Sequence, residues 1–196
     1  VTVSAETIGG TSYRTLSNSA SFTIQMGDYE KSGENFFYAV VAKINTTTRN
    51  KGFIKCGDNT DGHELAFDGS GNPIVTFYNS SVASVSTGSF VASEDKVQVH
   101  VIQRFGSTLK WSIDGVVCVD AKTSSTGGSG TATGSLFKRS DASSPNIPDY
   151  ELVEFFRSDM TATTEIDRIK TEGFLCDKYG IKLPADHRYK DGPPTA

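Results

Sequence analysis

The sequence predicts an all-β chain: an antiparallel two-sheet β-sandwich carrying one short C-terminal α-helix and an extended Pro-rich tail. Three observations predict it. Apolar residues alternate with polar ones in short runs, as with Phe22, Ile24 and Met26 or Val97, Val99 and Val101, the period of a strand. Turn chemistry separates the runs, above all at Asp68-Gly69-Ser70-Gly71-Asn72 and Asp114-Gly115, where Gly and Asn accept the positive φ of tight turns. Helical spacing appears only once, after Thr161, and Pro184, Pro193 and Pro194 then keep the tail extended.

Length suits one such domain over residues 1–196, since a chain of this size buries about 70 % of its unfolded surface and needs no covalent staple. The formal net charge of −4 argues against nucleic acid as the main partner. The longest apolar run, Phe36 to Ala42, is far too short for a membrane-inserted helix. Three cysteines, Cys56, Cys118 and Cys176, are odd in number and form no C-x-x-C pair. They read as buried free thiols, which favours folding in a reducing compartment. The opening VTVSAETIGGTSYR has neither the basic nor the apolar region of a signal peptide.

Taken in order, residues 1–18 are weakly patterned and read as a first short strand or an N-terminal arm. Ser19 to Met26 is a half-buried strand, and Gly27 to Asn35 a charged turn. Phe36 to Ile44 is apolar on both faces, as a central strand must be. Phe53 to Cys56, His63 to Phe67 and Pro73 to Asn79 follow, the last two joined by the Asp68–Asn72 hairpin. Pro73 lacks an N–H and so opens its strand or lies on an edge. Lys96 to Phe105 is a strand with His100 on its outward face, and Leu109 to Val119 turns at Asp114-Gly115. Residues 123–135 contain only Gly, Ser, Thr and Ala, cannot bury apolar surface, and read as a mobile loop. A short strand over Leu136 to Lys138 and a firmer one from Tyr150 to Phe156 precede the helix. Thr161 is placed at the helix cap, and Ile166, Ile169, Gly173 and Cys176 on its packed face. Gly180 ends it, and residues 181–196 form a C-terminal arm.

In that last stretch Ile169, Glu172, Gly173, Phe174, Leu175, Lys178, Tyr179 and Gly180 are followed by Leu183-Pro184-Ala185-Asp186-His187 and Tyr189-Lys190. The pattern resembles the C-terminal signature of laminin-G-like domains, which belong to the concanavalin A-like lectin and glucanase superfamily. The resemblance covers roughly His63 to Pro194. It implies a jelly-roll sandwich of a kind found in phage structural and bacterial surface proteins, and gives the LPADH arm and His187 a structural role. Tyr179 and Arg188 stand where relatives often carry Trp and Pro.

Glucanase relatives alternate two Glu and one Asp along a strand, so that the acids share a face. Here Glu165-Ile166-Asp167 begins that pattern on helical spacing, with the next acid only at Glu172. Glu151 and Glu154, three apart, face opposite sides of a regular strand. No catalytic set follows. Some relatives bind calcium and a sugar in loops at one end of the sandwich. The matching residues here are Asp58, Asp61 and Asp68 for a metal, with Tyr78 and Trp111 as stacking platforms for a carbohydrate. Trp111 shares a face with Leu109 and Ile113, which also fits core packing. His63 sits beside Asp58, Asp61 and Glu64 in what reads as an acidic turn.

The main functional expectation is a non-catalytic virion structural protein: a phage surface component, either head decoration or tail/fibre subunit. Its partners would be other capsid or tail subunits in an arrayed or oligomeric assembly, with host or environmental glycans as further partners of its lectin-like fold, and its location the virion surface. The alternative is an extracellular carbohydrate-binding module of a secreted or cell-surface protein. No cofactor is expected beyond calcium at the acidic loops. A glucanase-type hydrolase ranks last.

Overall fold

The computed structural model describes residues 2–8, 10–17, 24–29, 35–44, 51–57, 61–68, 70–79, 82–88, 93, 95–122, 132–136, 150–158 and 164–195. Thirteen strands and one helix lie within them: β1 Thr2–Ile8, β2 Thr11–Ser17, β3 Ile24–Tyr29, β4 Phe36–Ile44, β5 Lys51–Gly57, β6 Asp61–Phe67, β7 Pro73–Asn79, β8 Val82–Thr87, β9 Val97–Phe105, β10 Thr108–Ile113, β11 Val116–Lys122, β12 Ala132–Leu136, β13 Tyr150–Ser158 and α1 Glu165–Lys178. They form a seven-stranded sheet ordered β1-β2-β13-β4-β9-β10-β11 and a six-stranded sheet ordered β3-β12-β5-β6-β7-β8, with antiparallel pairing throughout. The expected two-sheet sandwich with a C-terminal helix is what the chain adopts.

Three layers result. Tyr38, Val40, Ile102, Trp111 and Tyr150 of the seven-stranded sheet meet Phe53, Leu65, Phe67, Val75 and Phe77 of the other in the main core. On the opposite face of the seven-stranded sheet, Phe37, Ala39, Val41, Val99 and Val101 pack beneath Leu175, Cys176, Tyr179 and Leu183. Strand β4 therefore has two dry faces, and only Lys43 along it is not buried. The same double cover corrects the reading of His100. Its valine neighbours face the helix layer, and His100 points into the sandwich among Phe53, Phe67 and Trp111. All three cysteines are free and buried.

Several polar segments fold differently from expectation. Residues 1–18 contain not an arm or lone strand but the β1–β2 hairpin, turning at Gly10 with φ of 85°. Strand β3 runs on through Gly27 and Asp28, which had read as a turn. Strand β8 carries no clear alternation and was not expected. Residues 132–135, read as loop, belong to β12, bonded to β3 on one side and β5 on the other. Backbone pairing on both edges needs no apolar side chain, so composition could not reveal it. Residues 123–131 lie outside the described part. By contrast Phe36 to Ile44 and Pro73 to Asn79 have the expected bounds, and Pro73 opens its strand.

Helix α1 starts one turn later than the Thr161 expectation. Thr164 is the N-cap, and its hydroxyl and backbone N–H both approach Asp167 Oδ2 at 2.8 Å. Thr161 itself lies outside the described residues. At the other end Gly180, with φ of 64°, closes a Schellman motif: Ile181 N–H donates to Cys176 O at 2.8 Å and Gly180 N–H to Asp177 O at 3.1 Å. The packed face is also shifted. Ile166 is exposed, and the buried residues are Arg168, Glu172, Gly173, Leu175 and Cys176.

Glu172 explains the shift. Its carboxylate takes the Arg168 guanidinium and the Ser112 hydroxyl, and His187 Nε2 lies 3.0 Å away. One buried carboxylate thus ties helix, sheet and arm. The arm presses closely on two glycines. A Cβ at Gly115 would lie 2.6 Å from Leu183, and one at Gly173 would lie 2.7 Å from Tyr189. Gly173 therefore makes room for the arm, through Tyr189. Gly173→Ala should raise helix propensity by about 1 kcal/mol, yet a net loss of stability is expected because Tyr189 must move. Urea unfolding checks the sign; a gain would show that the arm yields freely.

Candidate functional site

Of the sequence-predicted site residues, Trp111 is fully buried, its ring stacked 6.0 Å from Phe53 at an interplanar angle of 5°. It has no face for a sugar, and its sharing of a face with Leu109 and Ile113 reflects core packing. Asp68 closes the β6–β7 hairpin. Its Oδ1 accepts from Ser70 N–H at 2.8 Å and Asn72 N–H at 2.9 Å, and its Oδ2 from Asn72 Nδ2 at 3.0 Å. Those bonds hold its carboxyl below the usual carboxylate range. A saturated turn-former is poorly placed to ligate calcium. Asp58 lies outside the described residues, and Asp61 opens β6 opposite Asn79, its side chain outside the described part. Among the described residues no three His, Cys, Asp or Glu come together as a metal site.

His63 belongs to a strand rather than a loop. Its ring stacks on Phe36 at 4.2 Å, and Tyr38 Oη lies 3.3 Å from Nε2. Burial, reinforced by Arg104, lowers its pKa to about 3, and burial alone does the same to His100. Both rings are neutral core components.

The acids expected to face opposite ways share a face. Glu151 opposes Lys43 and Glu154 opposes Val41, because a bulge after Leu152 absorbs one residue. Each is already engaged: Glu151 lies 3.5 Å from Lys43, while Glu154 accepts from Lys178 at 2.9 Å and from Tyr179 at 2.7 Å. Glu165 and Asp167 sit in the first turn of α1, serving its cap and Arg168.

Tyr78 occupies the most distinctive surface. In the six-stranded sheet the inward residues of β5, β6 and β7 are Ile54 and Cys56, Leu65 and Phe67, Val75 and Phe77. Strand alternation then turns Lys55, Glu64, Thr76 and Tyr78 to the outer face. Lys55 opposes Glu64 and Glu64 opposes Thr76, making a row across three strands. Lys55 Nζ lies 5.8 Å from the Tyr78 ring centroid, and Tyr78 Oη donates to Glu64 Oε2 at 2.9 Å. Lys55 is 6 % and Glu64 5 % exposed. Burying a lysine and a glutamate on the outside of a sandwich costs free energy that packing alone would avoid. In the next row Tyr78 opposes Gly62, which opposes Gly57, so no side chain of β5 or β6 stands beside the ring on that line. Gly62 has φ of 144°, a backbone region that favours glycine. Sequence reasoning singled out Tyr78 but missed Lys55 and Glu64. Their signal was present: each is a charged residue flanked in its strand by residues of the packed face, Ile54 and Cys56 for Lys55, His63 and Leu65 for Glu64.

No protein-family model matches the chain, and no curated protein matches it. Solved structures do. The CBM40 domain of Ruminococcus gnavus IT-sialidase, bound to alpha2,3 sialyllactose, superposes with a TM-score of 0.60 at 8 % identity, over 80 % of this chain and 97 % of that domain. The SAP-like pentraxin of Limulus polyphemus gives 0.57 at 11 %, over 80 % and 78 %. The binding domain of botulinum neurotoxin serotype G gives 0.57 at 12 %, over 94 % of this chain and 54 % of that one. At these identities the likeness establishes the fold alone, an antiparallel two-sheet β-sandwich.

Proposed function

We propose that the chain is a non-catalytic glycan-binding module whose sugar site is the outer face of β5, β6 and β7. The observation that carries this reading is the Lys55–Glu64–Tyr78 group, two buried charges held beside an aromatic ring on an outer sheet face. Tyr78 supplies an apolar ring with a polar tip. Glu64, which accepts from Tyr78 Oη, and Lys55, beside the ring, hold that ring in place from within the sheet. The engagement of Glu151, Glu154, Glu165 and Asp167 in structural ion pairs and caps supports binding over hydrolysis. The matched structures include a sialyllactose-bound module and a toxin binding domain, which favours the extracellular carbohydrate-binding alternative over the virion-subunit expectation.

A glycan array in calcium-containing buffer, followed by calorimetry on the best binder, tests this. Tyr78→Ala is expected to weaken the binder about tenfold or more, as loss of an aromatic anchor does. No binder above background, or an unchanged affinity in Tyr78→Ala, would overturn the proposal.

A further inference from the structure

A second concave feature lies on the far side of the seven-stranded sheet. A trench of about 450 Å³ runs between that sheet and α1, floored by Ala39 and Val41 and walled by Phe156 and Phe174. Its volume falls within the range of small-molecule sites. The two phenylalanines are 55 % and 54 % exposed, so both rings present apolar surface to whatever fills the trench. The charges at its rim are unequal. Glu154 is neutralised by Lys178 and hydrogen-bonded by Tyr179. Lys170, also in the lining, forms no ion pair among the described residues, and only the field of Asp167 on the same helix acts on it. An apolar trench with a cation at its edge that no carboxylate holds in an ion pair is complementary to a hydrocarbon chain ending in an anion.

We propose that this trench binds a small anionic amphiphile, an alkyl carboxylate whose chain lies between Phe156 and Phe174 and whose head group meets Lys170 Nζ. This site is separate from the sugar face and stands or falls independently of it. Neither Phe174 nor Lys170 supports the core, since both side chains are exposed on α1.

The test is calorimetric titration of the full chain with decanoate, octanoate and decanol, each below its aggregation concentration. Decanoate should bind, and octanoate, two methylenes shorter, should bind roughly fifteenfold more weakly, because each buried methylene is worth about a fourfold change in affinity. Lys170→Gln should weaken decanoate about tenfold while leaving decanol unchanged. Phe174→Ser should weaken both, with an unaltered thermal midpoint showing that the fold is intact. Absence of decanoate binding, no dependence on chain length, or equal loss of decanoate and decanol in Lys170→Gln would overturn the assignment. The last comparison holds even if Phe174→Ser proves unstable.

Discussion

Glu172→Ala is expected to cost about 3–5 kcal/mol, the usual penalty for stranding one member of a buried ion pair. Arg168 is 3 % exposed and would be left with Glu165 alone, whose own side chain is half in solvent. His187 would lose its carboxylate partner as well, and Ser112 would keep only Val101 O, so the arm would lose its polar anchor to the helix. The helix layer should then loosen before the sandwich does. Proteolysis between residues 180 and 195 should accelerate more than global urea unfolding predicts. A double replacement, Arg168→Met with Glu172→Leu, removes both charges together and should recover most of the loss, since apolar substitutes of similar volume often match a buried pair. Urea titrations of the three variants check this. A single mutant within about 1 kcal/mol of the parent would mean that water readily reaches Arg168.

Acid is expected to destabilise the fold well above the carboxylate range. His63 and His100 are buried neutral with pKa values of about 3, against 6.5 when unfolded. Between those values the unfolded chain binds two protons that the folded chain does not. Stability is therefore full above about pH 6.5 and declines as pH falls towards about 3. The slope approaches about 1.4 kcal/mol per pH unit for each histidine, or about 4 kcal/mol for the pair between pH 7 and pH 5. Glu154, Glu165 and Asp167, whose carboxyls are held low by their partners, add their losses only below the ordinary carboxylate range. Asp114 works in the opposite sense, because burial raises its pKa and protonation favours the folded state. In the window from pH 6.5 to 5 the two histidines supply the destabilising slope. His100→Phe, placed among Phe53, Phe67 and Trp111, should halve the slope there. A slope unchanged by that substitution would show that His100 does not govern it.

The parts of the fold legible in the sequence are those where side-chain burial dictates structure. Strand β4 is a continuous apolar run because both its faces are dry, and the Asp68–Asn72 turn is written in the carboxylate that closes it. Strands β1, β2, β8 and β12 were obscure because their sequences are mostly polar and backbone pairing defines them. Trp111 was legible as core from the face it shares with Leu109 and Ile113, but His100 misled as a surface candidate. Alternation shows that two faces differ, but it cannot show that a helix and an arm cover one of them. The bulge after Leu152 reversed the facing of Glu154 for a related reason, since periodicity assumes an unbroken pleat. In the candidate site Tyr78 was visible as an aromatic in a strand. Its link to Lys55 and Glu64 depends on cross-strand register, which no single segment encodes.

The claim that sugar recognition resides on the outer face of the six-stranded sheet is tested most directly by amide chemical-shift mapping with the best array binder. The largest perturbations should fall at Lys55, Gly62, Glu64, Thr76 and Tyr78, with the β10–β11 turn and α1 unchanged. Perturbations centred on Asp114 and Gly115, or on Phe156 and Phe174, would contradict it.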